Sequence, residues 1–174
     1  MIEVDIPGFR KLQLHHAVCD FTGTLAVGGQ RLPGVAERLT ALSQWLTVRI
    51  LTADTFGVVD QELGPSLTDR LILQKIPPEL GPLSEAEWKR QVVEELGAGQ
   101  TVAIGNGNND HLMLQAAALG IAVVEGEGCA GMALRHADVV VIRATDALDL
   151  LLDARRLKAT LRGLNGITPG EDRA

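Results

Sequence analysis

The sequence has no cluster of lysines and arginines, no closely spaced cysteine pair, no internal repeat and no long hydrophobic run. Each absence excludes something. Lys and Arg total 16 against 22 Asp and Glu, a formal net charge of −6, so the basic face that a nucleic-acid footprint needs is missing. The acidic balance still leaves a phosphate substrate open, because a metal ion and one or two cations can reverse the local field. Cys19 and Cys129 stand far apart without CxxC spacing, which suggests neither a zinc site nor a disulfide framework. Both lie among small or apolar residues and read as buried, inert thiols. No signal-peptide pattern opens the sequence, and no apolar run approaches the ~20 residues of a membrane span. The expectation is a cytoplasmic protein with neither a nucleic-acid nor a membrane partner.

What is present is enough apolar material for a full core. The 174 residues are 46% hydrophobic and 22% charged, the balance of an ordinary globular domain. We expect one domain over residues 1–165 and a loose polar tail over 166–174. Ile2, Val4 and Ile6 alternate as an edge strand before Pro7-Gly8, and Leu12–Asp20 reads as one strand entering the core. A small hairpin follows over Leu25–Leu32, with Gly28-Gly29 at its turn. Pro33 opens a helix carrying Val35, Leu39, Leu42 and Leu46 at helical spacing. Thr47–Leu51 is the next strand, and a weaker helix over Phe56–Leu63 is stopped by Gly64-Pro65.

After a short strand at Leu71–Leu73, Ser84-Glu85-Ala86-Glu87 forms a capping box. It starts a helix that buries Trp88, Val92, Val93 and Leu96. Thr101–Ile104 is a strand, and a helix through Leu112, Leu114 and Ala118 follows. Ile121–Val124 and Val139–Ile142 are further strands, with a short helix over Ala130–His136 between them. Thr145-Asp146 caps a last helix through Leu148, Leu151 and Leu152, continuing through Leu157, Leu161 and Leu164. Strands alternating with helices imply an α/β Rossmann-like three-layer sandwich with a mainly parallel central sheet.

In such folds ligands bind at the carboxyl ends of strands, near the switch in strand order. Three strands end in polar or glycine-bearing turns, at Asp20, Thr52 and Gly105. Taken alone, Asp20 is either a nucleophile or a turn residue. Taken together, the turns gather the Asp20, Asp54 and Asp110 carboxylates, the Thr24 and Thr52 hydroxyls, and the open backbone of Gly23, Gly105 and Gly107. Carboxylates with hydroxyls and glycines suit Mg²⁺ and phosphate, since Mg²⁺ takes one or two carboxylates and fills its shell with phosphate oxygens and water. The balancing cation is Lys89, with Lys75 in reserve. His111, directly after Asp110, is a possible substitute proton shuttle, while Glu125 and Glu127 rim the cleft.

Asp20-Phe21-Thr22-Gly23-Thr24-Leu25, Leu51-Thr52-Ala53-Asp54, Lys89, and Gly105-Asn106-Gly107-Asn108-Asn109-Asp110 resemble, in order, the four motifs of the haloacid dehalogenase superfamily. The pattern is most similar to the phosphorylation domain of P-type ATPases, and Ala137–Val141 resembles the strand after its last motif. The resemblance runs from about Leu14 to Ile142 and finds no counterpart of the ATPase membrane helices or nucleotide-binding domain. It implies a phosphohydrolase working through a phosphoaspartate on Asp20. By position, the Asp20 side chain and the Thr22 carbonyl hold Mg²⁺ together with Asn106 and Asp110. Gly23, Thr24, Thr52, Ala53 and Lys89 hold the phosphoryl group, and Asp110 orients Lys89.

Two departures from the family pattern bear on turnover. Phosphatases of the superfamily usually carry a general acid–base aspartate where this sequence has Thr22. A hydroxyl cannot exchange protons near neutral pH, so about 10²–10⁴-fold of rate is missing and the phosphoenzyme clears slowly. Asn106 replaces a metal-binding aspartate, which removes one negative charge. The rival reading is therefore a degenerate relative that binds Mg²⁺ and phosphate and serves as a regulatory or interaction module. The segments between motifs leave no room for a separate cap domain, below the ~50 residues of a small domain. An uncapped site suits a large phosphorylated substrate or closure by a neighbouring subunit in a homo-oligomer.

Overall fold

The computed structural model describes residues 1–163. The elements run β1 (Ile2–Ile6), β2 (Arg10–Leu14), β3 (His16–Asp20), β4 (Ala26–Val27), β5 (Gln30–Arg31), α1 (Val35–Leu42), β6 (Thr47–Thr52), α2 (Val59–Thr68) and β7 (Ile72–Lys75). They continue with α3 (Glu85–Leu96), β8 (Thr101–Gly105), α4 (His111–Ala116), β9 (Leu119–Val123), α5 (Gly131–His136), β10 (Val139–Val141), α6 (Ala144–Leu152) and α7 (Ala154–Leu161). Six strands form a sheet in the order β10-β9-β8-β3-β6-β7, and every neighbouring pair is parallel. The chain leaves β3 towards β6 and β7, then crosses back to β8 on the other side of β3. The switch point therefore falls beside β3.

Why these strands are parallel and central is visible in their burial. Ala17, Val18 and Cys19 are all buried, the continuous apolar run of a strand covered on both faces. Alternate residues then serve opposite layers. Ala17, Cys19, Val48, Ile50, Val102 and Ile104 join one core with α1, α2, α6 and α7. Val18, Leu51, Ala103 and Ala122 join the other with Trp88, Val92 and Val93 of α3, Met113 and Leu114 of α4, and Ala133 of α5. The expected three-layer α/β architecture is the observed one.

Several boundaries differ from the sequence expectation. Leu12–Asp20 is two strands, broken at His15. β2 pairs antiparallel with β1, Leu14 opposite Ile2, through a turn in which Gly8 takes φ 77. Only β3 enters the main sheet. Gly64-Pro65 stops the helix after Leu63 as expected, Gly64 leaving the helical region at φ 68, ψ 167, but a second helical stretch begins at once at Pro65 and carries α2 on to Thr68. Proline is tolerated there because a first-turn N–H has no intrahelical partner to lose. Thr145-Asp146 is not the cap of the last helix. α6 begins at Ala144, with Asp146 inside its first turn accepting from the Arg143 guanidinium at 3.1 Å. The expected continuation is a separate helix, α7, whose first turn is capped by Asp153 accepting from the Arg155 amide at 3.1 Å. Leu164 and the tail over 166–174 lie outside the described residues. No helix among the described residues is long and apolar enough to cross a membrane.

Candidate active site

The register of β3 places the site. Asp20 ends β3 opposite Leu51 of β6, and Cys19 stands opposite Ile104 of β8, so the turns after Asp20, Thr52 and Gly105 emerge side by side. Asp20 is 5% exposed, and Asp110 and Lys89 are fully buried. The Lys89 Nζ donates to Asp20 Oδ1 at 2.7 Å and to Asp110 Oδ1 at 2.7 Å. One buried cation thus bridges two carboxylates contributed by separate strand ends. Burial raises the Asp20 carboxyl to about 7, the Asp110 charge adds to the rise, and Lys89 opposes it. Burial alone would depress the Lys89 ammonium, yet its two carboxylate partners outweigh that and hold it above its ordinary value.

Lys89 reaches this point because α3 is pinned at its start. The Ser84 hydroxyl accepts from the Glu87 amide at 3.3 Å, and the Glu87 carboxylate accepts from the Ser84 amide at 2.8 Å. The expected capping box is present, and it sets Lys89 early in the helix on the face shared with Trp88, Val92 and Val93. Lys75 is elsewhere. Its Nζ donates to Asp54 at 2.8 Å and to Asp60 at 2.7 Å on the surface, so Lys89 is the ammonium that meets Asp20.

The remaining residues form the frame. Asp110 Oδ2 accepts from the Asn106 amide at 3.0 Å and the Gly107 amide at 2.8 Å, so one carboxylate both orients Lys89 and ties its own turn. A Cβ on Gly105 would lie 2.6 Å from the Asp110 Cγ, which leaves glycine the only residue that admits the fold-over. Thr24 is buried, and its hydroxyl donates to Asn106 Oδ1 at 3.0 Å. Asn106 Nδ2 donates to the Gly128 carbonyl at 3.0 Å. Gly23, at φ 82, passes so close that a Cβ would meet Asn106 Nδ2 at 2.5 Å. Thr52 is buried, with its hydroxyl oxygen accepting from the Asp54 amide at 2.9 Å, while Ala53 is exposed. Asp54 itself adopts φ 51. Its carboxylate accepts from the amides of Val58 at 3.0 Å and Val59 at 3.1 Å. Burial pushes this carboxyl up, but the Lys75 bond and those amides hold it below the usual range.

For a metal, the available donors are oxygens of three kinds. Among the described residues no group of three or more His, Cys, Asp or Glu side chains is arranged around a cation. The set is instead one carboxylate on Asp20, the Asn106 amide oxygen, and the Thr22 carbonyl. The amides of Thr24, Leu25 and Ala26 all turn to the Phe21 carbonyl, so none of the three takes the Thr22 oxygen. Hard oxygens with few carboxylates fit Mg²⁺, which retains waters and completes its shell on phosphate.

Two features escaped the sequence reading. Gly128 is the acceptor that orients Asn106, and Glu127 Oε1 accepts from the Gly28 amide at 2.7 Å, tying the β4–β5 hairpin to the loop after β9. The Gly126-Glu127-Gly128 turn also follows a strand end, which was the available signal. Glu125 does not only rim the cleft, since its Oε2 accepts from the Ala144 amide at 2.9 Å at the start of α6. His111 faces α5, with its ring centroid 5.4 Å from that of His136.

No model of a known protein family matches the chain. It is 47% identical over 83 residues to an uncharacterized protein of Methanocaldococcus jannaschii, covering 45% of this chain and 89% of that one. Among solved structures it is similar to the 3-deoxy-D-manno-octulosonate 8-phosphate phosphatase of Moraxella catarrhalis, determined in complex with magnesium ion, phosphate ion and KDO. The TM-score is 0.62 at 18% identity, over 86% of this chain and 94% of that one. A haloacid dehalogenase-like family hydrolase from Streptococcus pneumoniae aligns with a TM-score of 0.59 at 13% identity, over 78% and 97% of the two chains. The chain has the haloacid dehalogenase-type α/β fold, and it belongs to one family with the uncharacterized Methanocaldococcus jannaschii protein.

Proposed function

We propose that the chain is a phosphohydrolase acting through a phosphoaspartate on Asp20. The observation that carries this reading is Lys89, buried and 2.7 Å from both Asp20 and Asp110. A fully buried ammonium that only bridges two carboxylates is an expensive structural device. It becomes useful where a dianionic phosphoryl group must be drawn to a carboxylate nucleophile.

In the forward step an Asp20 oxygen forms a bond to phosphorus as the bond to the leaving oxygen breaks. The leaving oxygen takes its proton from solvent, because Thr22 has none to give near neutral pH. Lys89 offsets the charge gathering on the phosphoryl oxygens, and the Thr52 hydroxyl, whose proton is free of the Asp54 amide bond, donates to one of them. Asp110 keeps Lys89 in place. In the second step a water oxygen bonds to phosphorus, the phosphorus–oxygen bond to Asp20 breaks, and phosphate leaves with the carboxylate restored. Mg²⁺ held by Asp20, Asn106 and the Thr22 carbonyl would supply further charge neutralisation. The P-type-ATPase-like motif pattern, a cytoplasmic location, the lack of a cap and a large phosphorylated substrate belong to the same proposal.

The test is phosphate release from an aryl phosphate with and without Mg²⁺. Release that depends on Mg²⁺ and vanishes in Asp20→Asn is the expected result. An Asp20→Asn variant that turns over as fast as the parent would sink the nucleophile assignment.

A second reading is favoured by Thr22 and Asn106. It is a protein that binds Mg²⁺ and phosphate, or accepts a phosphoryl group without efficient release, and acts as a regulatory module. Under it, Thr22→Asp creates turnover that the parent lacks; no gain argues against it.

A further inference from the structure

Outside the carboxylate cluster, His111 of α4 and His136 of α5 come together. The Nδ1 of His111 lies 2.6 Å from the Asn108 carbonyl, and the Nδ1 of His136 lies 2.8 Å from the Met132 carbonyl. A carbonyl only accepts, so each ring donates from Nδ1, and the neutral form of each ring carries its lone pair on Nε2. The two rings sit 5.4 Å apart between centroids at an interplanar angle of 55°. Both side chains are only partly buried, so both are reachable from solvent.

We propose that His111 and His136 form a two-histidine site for a borderline transition-metal ion, zinc foremost, that clips α4 to α5. Three points carry it. Backbone carbonyls holding Nδ1–H are the outer partners that fix imidazole ligands in the metal-binding tautomer. The ring separation also fits. A Zn–N bond is about 2.0–2.1 Å and a ring centre lies about 1.2 Å beyond the nitrogen, so a tetrahedral angle sets two ring centres about 5.3 Å apart. Lastly, neutral imidazoles select zinc, nickel or copper rather than Mg²⁺, which separates this site from the Asp20 cluster. No third His, Cys, Asp or Glu side chain completes the set among the described residues, so water fills the other positions and the site is open. Because Asp110 is the residue at the N-cap of α4, an ion here fastens the helix that follows the carboxylate holding Lys89.

The experiment is a calorimetric titration of the full chain with zinc alone, in saturating Mg²⁺, paired with thermal melts. One zinc per chain and a raised melting temperature are expected, since an ion that binds only the native state stabilises it. His111→Ala and His136→Ala should each weaken binding about tenfold or more and abolish the thermal shift. Cys129→Ser and Asp20→Asn should bind as the parent does, which keeps the result independent of the phosphatase reading. If His111→Ala fails to fold, His136→Gln decides alone. Zinc affinity unchanged in the histidine variants, or no zinc bound at about 100 µM, overturns the proposal.

Discussion

Lys89 is the residue on which the site's electrostatics turn. It is fully buried, and its two partners are a 5% exposed Asp20 and a fully buried Asp110. Lys89→Met leaves two carboxylates without their cation, and breaking a buried ion pair from one side costs about 3–5 kcal/mol. Denaturant melts of this variant should show that loss together with loss of activity; full stability would mean that the cluster is hydrated. Asp20 makes a second prediction, on pH. In the metal-free native chain burial raises it to about 7, against an ordinary 3.8. The native state then keeps a proton that the unfolded chain has released, so this group's stabilising contribution is present below the lower value and lost as pH rises through the higher. Asp20→Asn cannot titrate and should gain stability relative to the parent as pH rises from about 4 to about 7. A constant difference across that range contradicts the assignment. Asn106 was legible only as a departure from a pattern. Its amide donates to the Gly128 carbonyl and accepts from Thr24, and an aspartate can make only the second bond. Asn106→Asp should therefore cost about 1–3 kcal/mol in a thermal melt, whatever it does for metal affinity.

At the scale of elements, α3 and the turns at the strand ends do the positioning. The capping box was readable because Ser84 and Glu87 are local, and a Ser/Glu pair three residues apart has few other uses. Ser84→Ala should cost about 1 kcal/mol, and it should lower activity by loosening the turn that leads to Lys89. A melt unchanged by the substitution would show that packing of Trp88, Val92 and Val93 fixes α3 without the cap. The break at His15 was not readable in the same way. The alternation of Leu12 and Leu14 changes phase across His15-His16 before the continuous run Ala17-Val18-Cys19, a faint local sign, and the turn away from the sheet is decided by β2 pairing with β1, a tertiary choice. Gly64-Pro65 was legible as a stop but not as a fresh start, since a proline that opens a new helical turn looks locally like one that closes an old turn. The Gly128 contact joins residues 22 positions apart through a backbone carbonyl, which no residue type announces.

At the scale of the whole molecule, the sheet order is what makes a site of scattered residues. β3 lies between β6 and β8, so three turns that are distant in sequence open at one end of the sheet, and the crossover from β7 to β8 carries α3 and its lysine over them. The alternating strand and helix pattern made this architecture legible from the sequence, because continuous apolar strands have no other home than a sheet covered on both sides. The order of the strands was not legible, since apolar patterning is the same for any order. The central claim is chemical: Asp20 accepts a phosphoryl group, and Thr22 leaves it there longer than an aspartate would. The direct test is intact-protein mass spectrometry after exposure to acetyl phosphate and Mg²⁺, quenched in acid, for the parent, Asp20→Asn and Thr22→Asp. The account predicts one added phosphoryl group in the parent, mapped to Asp20, none in Asp20→Asn, and a lower steady-state level in Thr22→Asp. A parent that acquires no phosphoryl group, or acquires one that survives Asp20→Asn, would contradict it.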